Sequence, residues 1–395
     1  MKFMHWTSMG LVAVVFLAGC GDFWQAPNGG GSGGCTANCT TATSGNFYIL
    51  NNGTTPQIVG EVIVKGTLTS ITGSPWTLPA SANAMAISPN GNLLFVSTTA
   101  GVYAYPISSG VLGTAKQVTT DAAALAIGVD TTNSWLIEAI QATGGVTMGA
   151  APINPTTGAS TGTEQTATFA VTNASVQSGQ MAVSPDNANI FVALGTGGTV
   201  VVPFNAGVVS GANPLGSTAT TIAPKTSGGA ALSVAVDPST APRLFYIGET
   251  LGNSAGNSGG LRAFVYSSLG ATLTQATGSP IAAGQLSPSF ILPDASGSFI
   301  YVADGAGQSS AGTINSFAIT SSGGAFTIAA GSSIAAGKLP IGLAEDNTST
   351  FLFAVNSLGN PYFAPYTFDA TTAGKLDAQN TANTGASPIA IVAAP

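Results

Sequence analysis

Glu249 and Asp304 are the acids whose surroundings give them scope for chemistry. Each closes a short apolar run (residues 244–248 and 299–303) and opens a loop rich in Gly and Ser (249–260 and 304–312). Carboxylates at such corners offer hard oxygen ligands, suited to a calcium ion or to a polar ligand. Glu138 and Asn356 end similar runs and join them as candidates, with Asn51, Thr98 and Leu194 at the remaining corresponding places. If the runs are neighbouring strands, these residues form a polar ring on one rim. The competing reading is that they cap strand ends and face water. The two loops are not phosphate loops, because neither precedes a helix and no Gly-Lys-Ser/Thr follows.

What the chain lacks narrows the chemistry further. Its single His is His5, and its only Arg residues are Arg243 and Arg262. Ser-His-Asp and Cys-His catalysis therefore have no imidazole in the body of the chain. A zinc or transition-metal site has no set of soft ligands. No catalytic residue is assigned; Glu249 and Asp304 stand as calcium candidates, and no other cofactor is expected. Charged residues are 6% of the chain and the formal net charge is −7, which gives no electrostatic grip on nucleic acid. An apolar content of 45% sets the chain apart from disordered sequences of equally low complexity.

The N-terminus points to the cell envelope. Lys2 precedes an apolar run over residues 10–19 that is too short for a permanent span and suits a signal peptide, here residues 1–19. Leu17-Ala18-Gly19-Cys20 resembles the bacterial lipobox, which implies cleavage before Cys20 and lipid on its thiol and new amino group. Gly21, not Asp, follows Cys20, so the usual inner-membrane retention signal is missing and the outer membrane is the expected address. Residues 20–46 read as a tether with a Gly-rich stretch at 28–34. Cys35 and Cys39, spaced C-x3-C, are expected to close a small disulfide loop in an exported protein.

The elements that must position the acids are strands. From residue 47 to residue 395, four short runs rich in β-branched and aromatic residues recur at intervals of roughly 50 residues, most clearly over 287–334. The first run of each repeat ends in a turn marked by Pro89-Asn90, Val129-Asp130, Pro185-Asp186, Pro238-Ser239, Pro293-Asp294 or Glu345-Asp346. Pro fixes φ there and the Asx side chain bonds the local backbone, so these acids are read as structural. The second run is almost continuously apolar, as in a strand buried on both faces. Phe95, Trp135, Tyr246 and Tyr301 in these runs are expected to pack between blades. The third run alternates more and contains Pro residues that need bulges or unpaired positions.

The two ends complete one another. Residues 47–51, 57–64 and 67–75 supply the second, third and fourth strands of a repeat with no first strand, and 387–393 is a first strand with nothing after it. The expectation is an all-β, seven-bladed β-propeller with four-stranded antiparallel blades over 47–395, closed by the C-terminal strand joining the N-terminal blade. Such closure leaves no open sheet edge.

Phe299-Ile-Tyr-Val-Ala-Asp304, with Gly312-Thr-Ile-Asn-Ser-Phe-Ala-Ile319 downstream, resembles the repeat of the YVTN and lactonase-like seven-bladed propellers. Residues 68–75 and 273–280, both Leu-Thr-x-x-Thr-Gly-Ser-Pro in pattern, are similar to that family too. The resemblance implies hydrolytic opening of a sugar lactone. That reaction wants a general base, and a His, Arg or metal on the carbonyl. The body of this chain offers mainly carboxylates. The expected function is accordingly a non-enzymatic, lipid-anchored scaffold that presents one rim to a protein, glycan or small ligand. The alternative is a 6-phosphogluconolactonase-like hydrolase working through rim carboxylates. A monomer is expected, reaching the membrane only through its lipid, with no nucleic-acid partner.

Overall fold

A computed structural model of the chain describes residues 44–395, apart from 121–122, 210, 239–243, 252–258, 267–272, 283–286, 306–310, 323–324, 360, 380, 383 and 386. The leader, Cys20, the tether with Cys35 and Cys39, and Arg243 lie outside the described residues. So do the tips of the loops that follow Glu249 and Asp304.

Seven antiparallel sheets follow one another around a ring, four of them with four strands and three with five. Their innermost strands are Ala82–Ile87, Ala124–Val129, Met181–Val183, Ala231–Val236, Pro288–Pro293, Pro340–Glu345 and Pro388–Ala393, which begin blades 1 to 7. No helix occurs among the described residues. Blade 7 is the split one. Phe47–Asn51 pairs on one side with Gln57–Val64 and on the other with Pro388–Ala393, Phe47 opposite Ala393 and Ile49 opposite Ile391. The two chain ends thus share one sheet, as the repeat count requires.

The second strands explain their unbroken apolar sequence. In Leu244–Glu249, Phe245 and Ile247 pack toward blade 3, while Leu244 and Tyr246 pack toward blade 5. In Phe47–Asn51, Phe47 and Ile49 face blade 6, and Tyr48 and Leu50 face blade 1. Seven separate hydrophobic clusters result, one between each pair of neighbouring blades. A strand with neighbours on both faces cannot alternate apolar with polar residues.

The hairpin joining the first and second strands corrects one alignment made from the sequence. The residue that organises the turn is Ser88, Asp130, Ser184, Asp294 or Asp346; Asn90 and Asp186 stand two places later. Asp130 Oδ1 accepts from the backbone N–H of Ser134 and Trp135, at 2.7 and 2.6 Å. Asp294 Oδ1 does so from Ser298 and Phe299, and Asp346 Oδ1 from Thr350 and Phe351. In blades 1 and 3 a hydroxyl takes this role: Ser88 Oγ accepts from Leu93 N and Ser184 Oγ from Asn189 N. The residue three places on is left-handed each time: Gly91 (φ 70°), Asn133 (59°), Asn187 (53°), Gly297 (69°) and Ser349 (50°). A conspicuous Pro-Asn or Pro-Asp pair drew the alignment to the wrong column, because Ser caps the same turn with a shorter side chain.

Three Pro residues of the third strands sit at the strand margin, while Pro365 lies in mid-strand opposite Phe353. Pro106, Pro152 and Pro203 each lie opposite the first residue of the second strand. Their carbonyls accept from Gly113, Thr161 and Gly216 N–H at 2.7–2.8 Å, where the chain turns toward the outer strand.

Candidate functional site

The second strands end, as expected, with Asn51, Thr98, Glu249, Asp304 and Asn356 on one rim, and every one of these side chains is buried. Their polar atoms turn into their own blades. Asn51 Nδ2 donates to Thr384 O at 2.8 Å, and Asn356 Nδ2 donates to Pro361 O at 3.1 Å. Asp304 Oδ1 accepts from Ser287 N at 3.1 Å, pinning the link that leads into the innermost strand of its blade. Glu249 Oε2 accepts from Lys225 N at 3.0 Å and its Oε1 pairs with Arg262 Nη1 at 2.7 Å. The Arg262 guanidinium also donates to Ala223 O and lies over the Phe264 ring, 4.9 Å from its centroid. Burial pushes the Glu249 carboxyl above the usual carboxylate range, against the opposing pull of Arg262 and the Lys225 N–H. Among the described residues no three acids, His or Cys gather where they could hold a metal ion.

Glu138 departs from the sequence alignment. Its strand runs on to Ala142, so Glu138 lies in mid-strand, opposite Ile127 and Gly149. It is fully buried and its Oε1 accepts from Thr119 Oγ1 of blade 1 at 2.7 Å. The bareness of Gly149 makes room there: a Cβ on it would overlap Glu164 Oε1 and touch Glu138 Cβ. Glu164 belongs to this buried corner and was not singled out from the sequence, since it sits in a loop between the third and outer strands.

A different set of residues surrounds the open space on the same rim. The mouth of the central channel is a cavity of about 480 Å³. Its walls are the starts of the innermost strands and the residues just after two second strands: Asn52, Asn83, Gln177, Gln180, Ser289 and Ser357, with Leu232, Ile341 and Ile389 between them. None of the lining residues carries a charge. Side-chain bonds from one blade to the next hold this collar in place. The Asn52 amide both donates to Ala82 O (3.2 Å) and accepts from Ala82 N (3.1 Å), joining blade 7 to blade 1. Asn83 Nδ2 donates to Ala124 O of blade 2 at 3.3 Å. Ser233 Oγ donates to Pro288 O at 2.7 Å, and Ser289 Oγ donates to Pro340 O. Ser178 Oγ reaches back across the channel edge to Asn83 O.

Gln180, like Ser357, makes no such side-chain bond among the described residues. It is 7% exposed, and its side-chain amide makes no hydrogen bond to a protein group among the described residues. Its side chain lines the cavity. Such a surface recognises uncharged ligands by hydrogen bonds, with Leu and Ile as apolar backing. Sequence reasoning missed these residues because they share no motif. The available signal was their position, immediately before or within the start of each innermost strand.

No protein-family model and no curated protein sequence matches the chain. Its fold is similar to that of solved structures. A candidate 6-phosphogluconolactonase from Bacteroides uniformis superposes with a TM-score of 0.67 at 18% identity, covering 88% of this chain and 98% of that one. A candidate 6-phosphogluconolactonase from Bacteroides fragilis gives 0.67 at 12% identity, covering 88% and 97%. Hydrazine synthase from Kuenenia stuttgartiensis gives 0.52 at 12% identity, covering 90% and 100%. At these identities the likeness is one of fold: the seven-bladed propeller of the lactonase-like structures.

Proposed function

We propose that this propeller is a ligand-binding protein of the cell envelope, held there by a lipid on Cys20, and that it takes an uncharged, hydroxyl-rich ligand such as a glycan at the channel mouth. One observation carries the reading: a cavity of about 480 Å³ walled by residues of six blades, with amides and hydroxyls from five of them and no ionisable side chain among its lining residues. That volume falls within the ordinary range of small-molecule sites. An anionic ligand would enter without a cation to meet it.

Calorimetric titration tests this. Glucose and maltose are expected to bind, and glucose 6-phosphate to bind at least tenfold more weakly. Asn83→Ala and Gln180→Ala should each weaken the neutral sugars by roughly three- to tenfold, the worth of one net hydrogen bond. Equal or tighter binding of the phosphorylated sugar would overturn the proposal.

The lactonase-like neighbours favour a second reading, in which the mouth admits an aldonolactone and a rim carboxylate activates water. Asp304, at the end of Phe299–Asp304, is the carboxylate to test. Under this reading gluconolactone is opened by the purified protein, and Asp304→Asn, shown to be folded by its circular dichroism, abolishes the turnover. Under the first, the lactone binds and stays closed.

A further inference from the structure

The rim opposite the mouth carries an opening of another kind. Between blades 5 and 6, where the innermost strands end and the second strands begin, lies a cavity of about 240 Å³. Its walls include three aromatic rings, Phe299, Tyr301 and Phe368, and three acids, Asp294, Glu345 and Asp369. The Tyr301 and Phe368 ring centroids stand 5.9 Å apart, tilted by 54°. Gly374, at φ 76°, brings the turn after the third strand of blade 6 against Phe299, where a Cβ would overlap the ring.

The charges around this cavity do not balance. Asp369 pairs with Lys375. Asp294 and Glu345 meet no Lys or Arg among the described residues. Their oxygens accept from neutral groups instead: Asp294 Oδ2 from Ser296 Oγ, and Glu345 Oε2 from Ala295 N at 3.0 Å. Burial raises the Glu345 carboxyl above the usual carboxylate range, and the Asp294 and Asp346 charges push the same way. Buried carboxylates of this kind call for a cation.

Tyr301 points to a ligand independently. It is 1% exposed, yet its hydroxyl makes no hydrogen bond among the described residues. Burial raises its phenol, and the Asp294 and Glu345 charges raise it further, so the hydroxyl lies close to both carboxylates. In blade 4 the corresponding Tyr246 hydroxyl donates to Asp237 at 3.5 Å. In blade 5 it is Ser296 that donates to Asp294, and Tyr301 lines the cavity without a partner. A buried hydroxyl is normally hydrogen-bonded.

We propose that this cavity binds a small alkylammonium ion, whose N–H groups donate to the Glu345 carboxylate and the Tyr301 oxygen while its carbon chain lies against the aromatic rings. Rings beside carboxylates suit an organic cation, since the ring faces attract its charge as well. Among the described residues no three acids gather to hold a metal ion instead. The site is on the other rim from the channel mouth and stands apart from the reading of that mouth.

The probe is butylamine, protonated at neutral pH and titrated calorimetrically into the full chain. Butanol supplies the chain without the charge, tetramethylammonium the charge without an N–H donor, and calcium chloride a metal alone. Butylammonium is expected to bind tighter than butanol by roughly tenfold or more, the worth of a hydrogen bond to a charged group. Glu345→Gln keeps an acceptor for the Ala295 N–H and should weaken butylammonium by roughly tenfold. Tyr301→Phe keeps the ring and should weaken butylammonium while leaving tetramethylammonium unchanged. Phe368→Leu should weaken both cations by roughly three- to tenfold. Circular dichroism shows that each variant is folded, and none should alter a titration with glucose. Butanol binding as tightly as butylamine, an affinity for butylammonium unchanged in Glu345→Gln, or calcium displacing the amine would each overturn the site. So would the absence of saturable butylamine binding.

Discussion

Asn189 shows what one residue can cost a blade interface. It opens the second strand of blade 3, where Leu93 and Leu244 stand in blades 1 and 4, and it is 2% exposed. Neither Nδ2 nor Oδ1 finds a hydrogen-bond partner. Each unsatisfied buried group of this kind costs about 1–3 kcal/mol. Asn189→Leu is therefore expected to stabilise the fold by about 1–3 kcal/mol, read as a higher midpoint in urea with unchanged slope. Glu249 is the opposite case. Removing its charge leaves Arg262 buried and unpaired, so Glu249→Gln should cost about 3–5 kcal/mol in the same assay. Acidity gives a further check. Burial raises the carboxyls of Glu61, Glu249 and Glu345 above the usual range. The folded chain thus takes up their protons before the unfolded chain does, and stability from these groups falls as pH rises above the ordinary Glu value. The melting temperature should hold or rise between pH 7 and pH 5. Glu61→Gln, which keeps a partner for Ser70, should flatten that dependence.

At the scale of the element, the turn between first and second strands repeats one design with interchangeable parts. Ser or Asp caps the backbone, and a left-handed residue follows three places later. Four of the five left-handed positions hold Gly or Asn; blade 6 holds Ser349 at φ 50°. Gly relieves that conformation, so Ser349→Gly is expected to stabilise by up to about 1 kcal/mol, measured by thermal unfolding. The same element shows how far the sequence could be read. The second strands were legible because burial on both faces makes them unbroken apolar runs. The turn was legible in kind and misplaced by a position or two, because Ser88 and Ser184 cap it as well as Asp does. Glu138 was misplaced for a related reason: the strand beyond it, Ala139–Ile140–Gln141–Ala142, pairs fully with Gly145 to Met148, although its composition gives no sharp stop.

At the scale of the whole molecule, closure of the ring creates the mouth. The blade count and the shared seventh sheet could be foreseen from two complementary fragments at the chain ends. The collar could not, since Asn52, Asn83, Gln177 and Gln180 carry no spacing pattern and meet only when the ring of blades closes. Glu249 and Asp304 bond to the links that lead into their blades and Glu138 bonds to the neighbouring blade, while Asn52, Asn83, Gln177 and Gln180 line the open space. Closure also has an energetic test. Deleting residues 388–395 strips Ile391 from the cluster with Phe47, Ile49 and Phe353 and leaves Phe47–Asn51 as an exposed edge. The truncated chain should unfold at lower temperature and self-associate in size-exclusion chromatography.

The location of the site is most directly tested by following side-chain amide resonances during titration with a neutral sugar. The account predicts that signals from Asn83, Gln177 and Gln180 shift together with one affinity, while that of Asn189, buried on the far side of blade 3, stays still. Saturable shifts that leave Gln180 unmoved and gather on another face would contradict it.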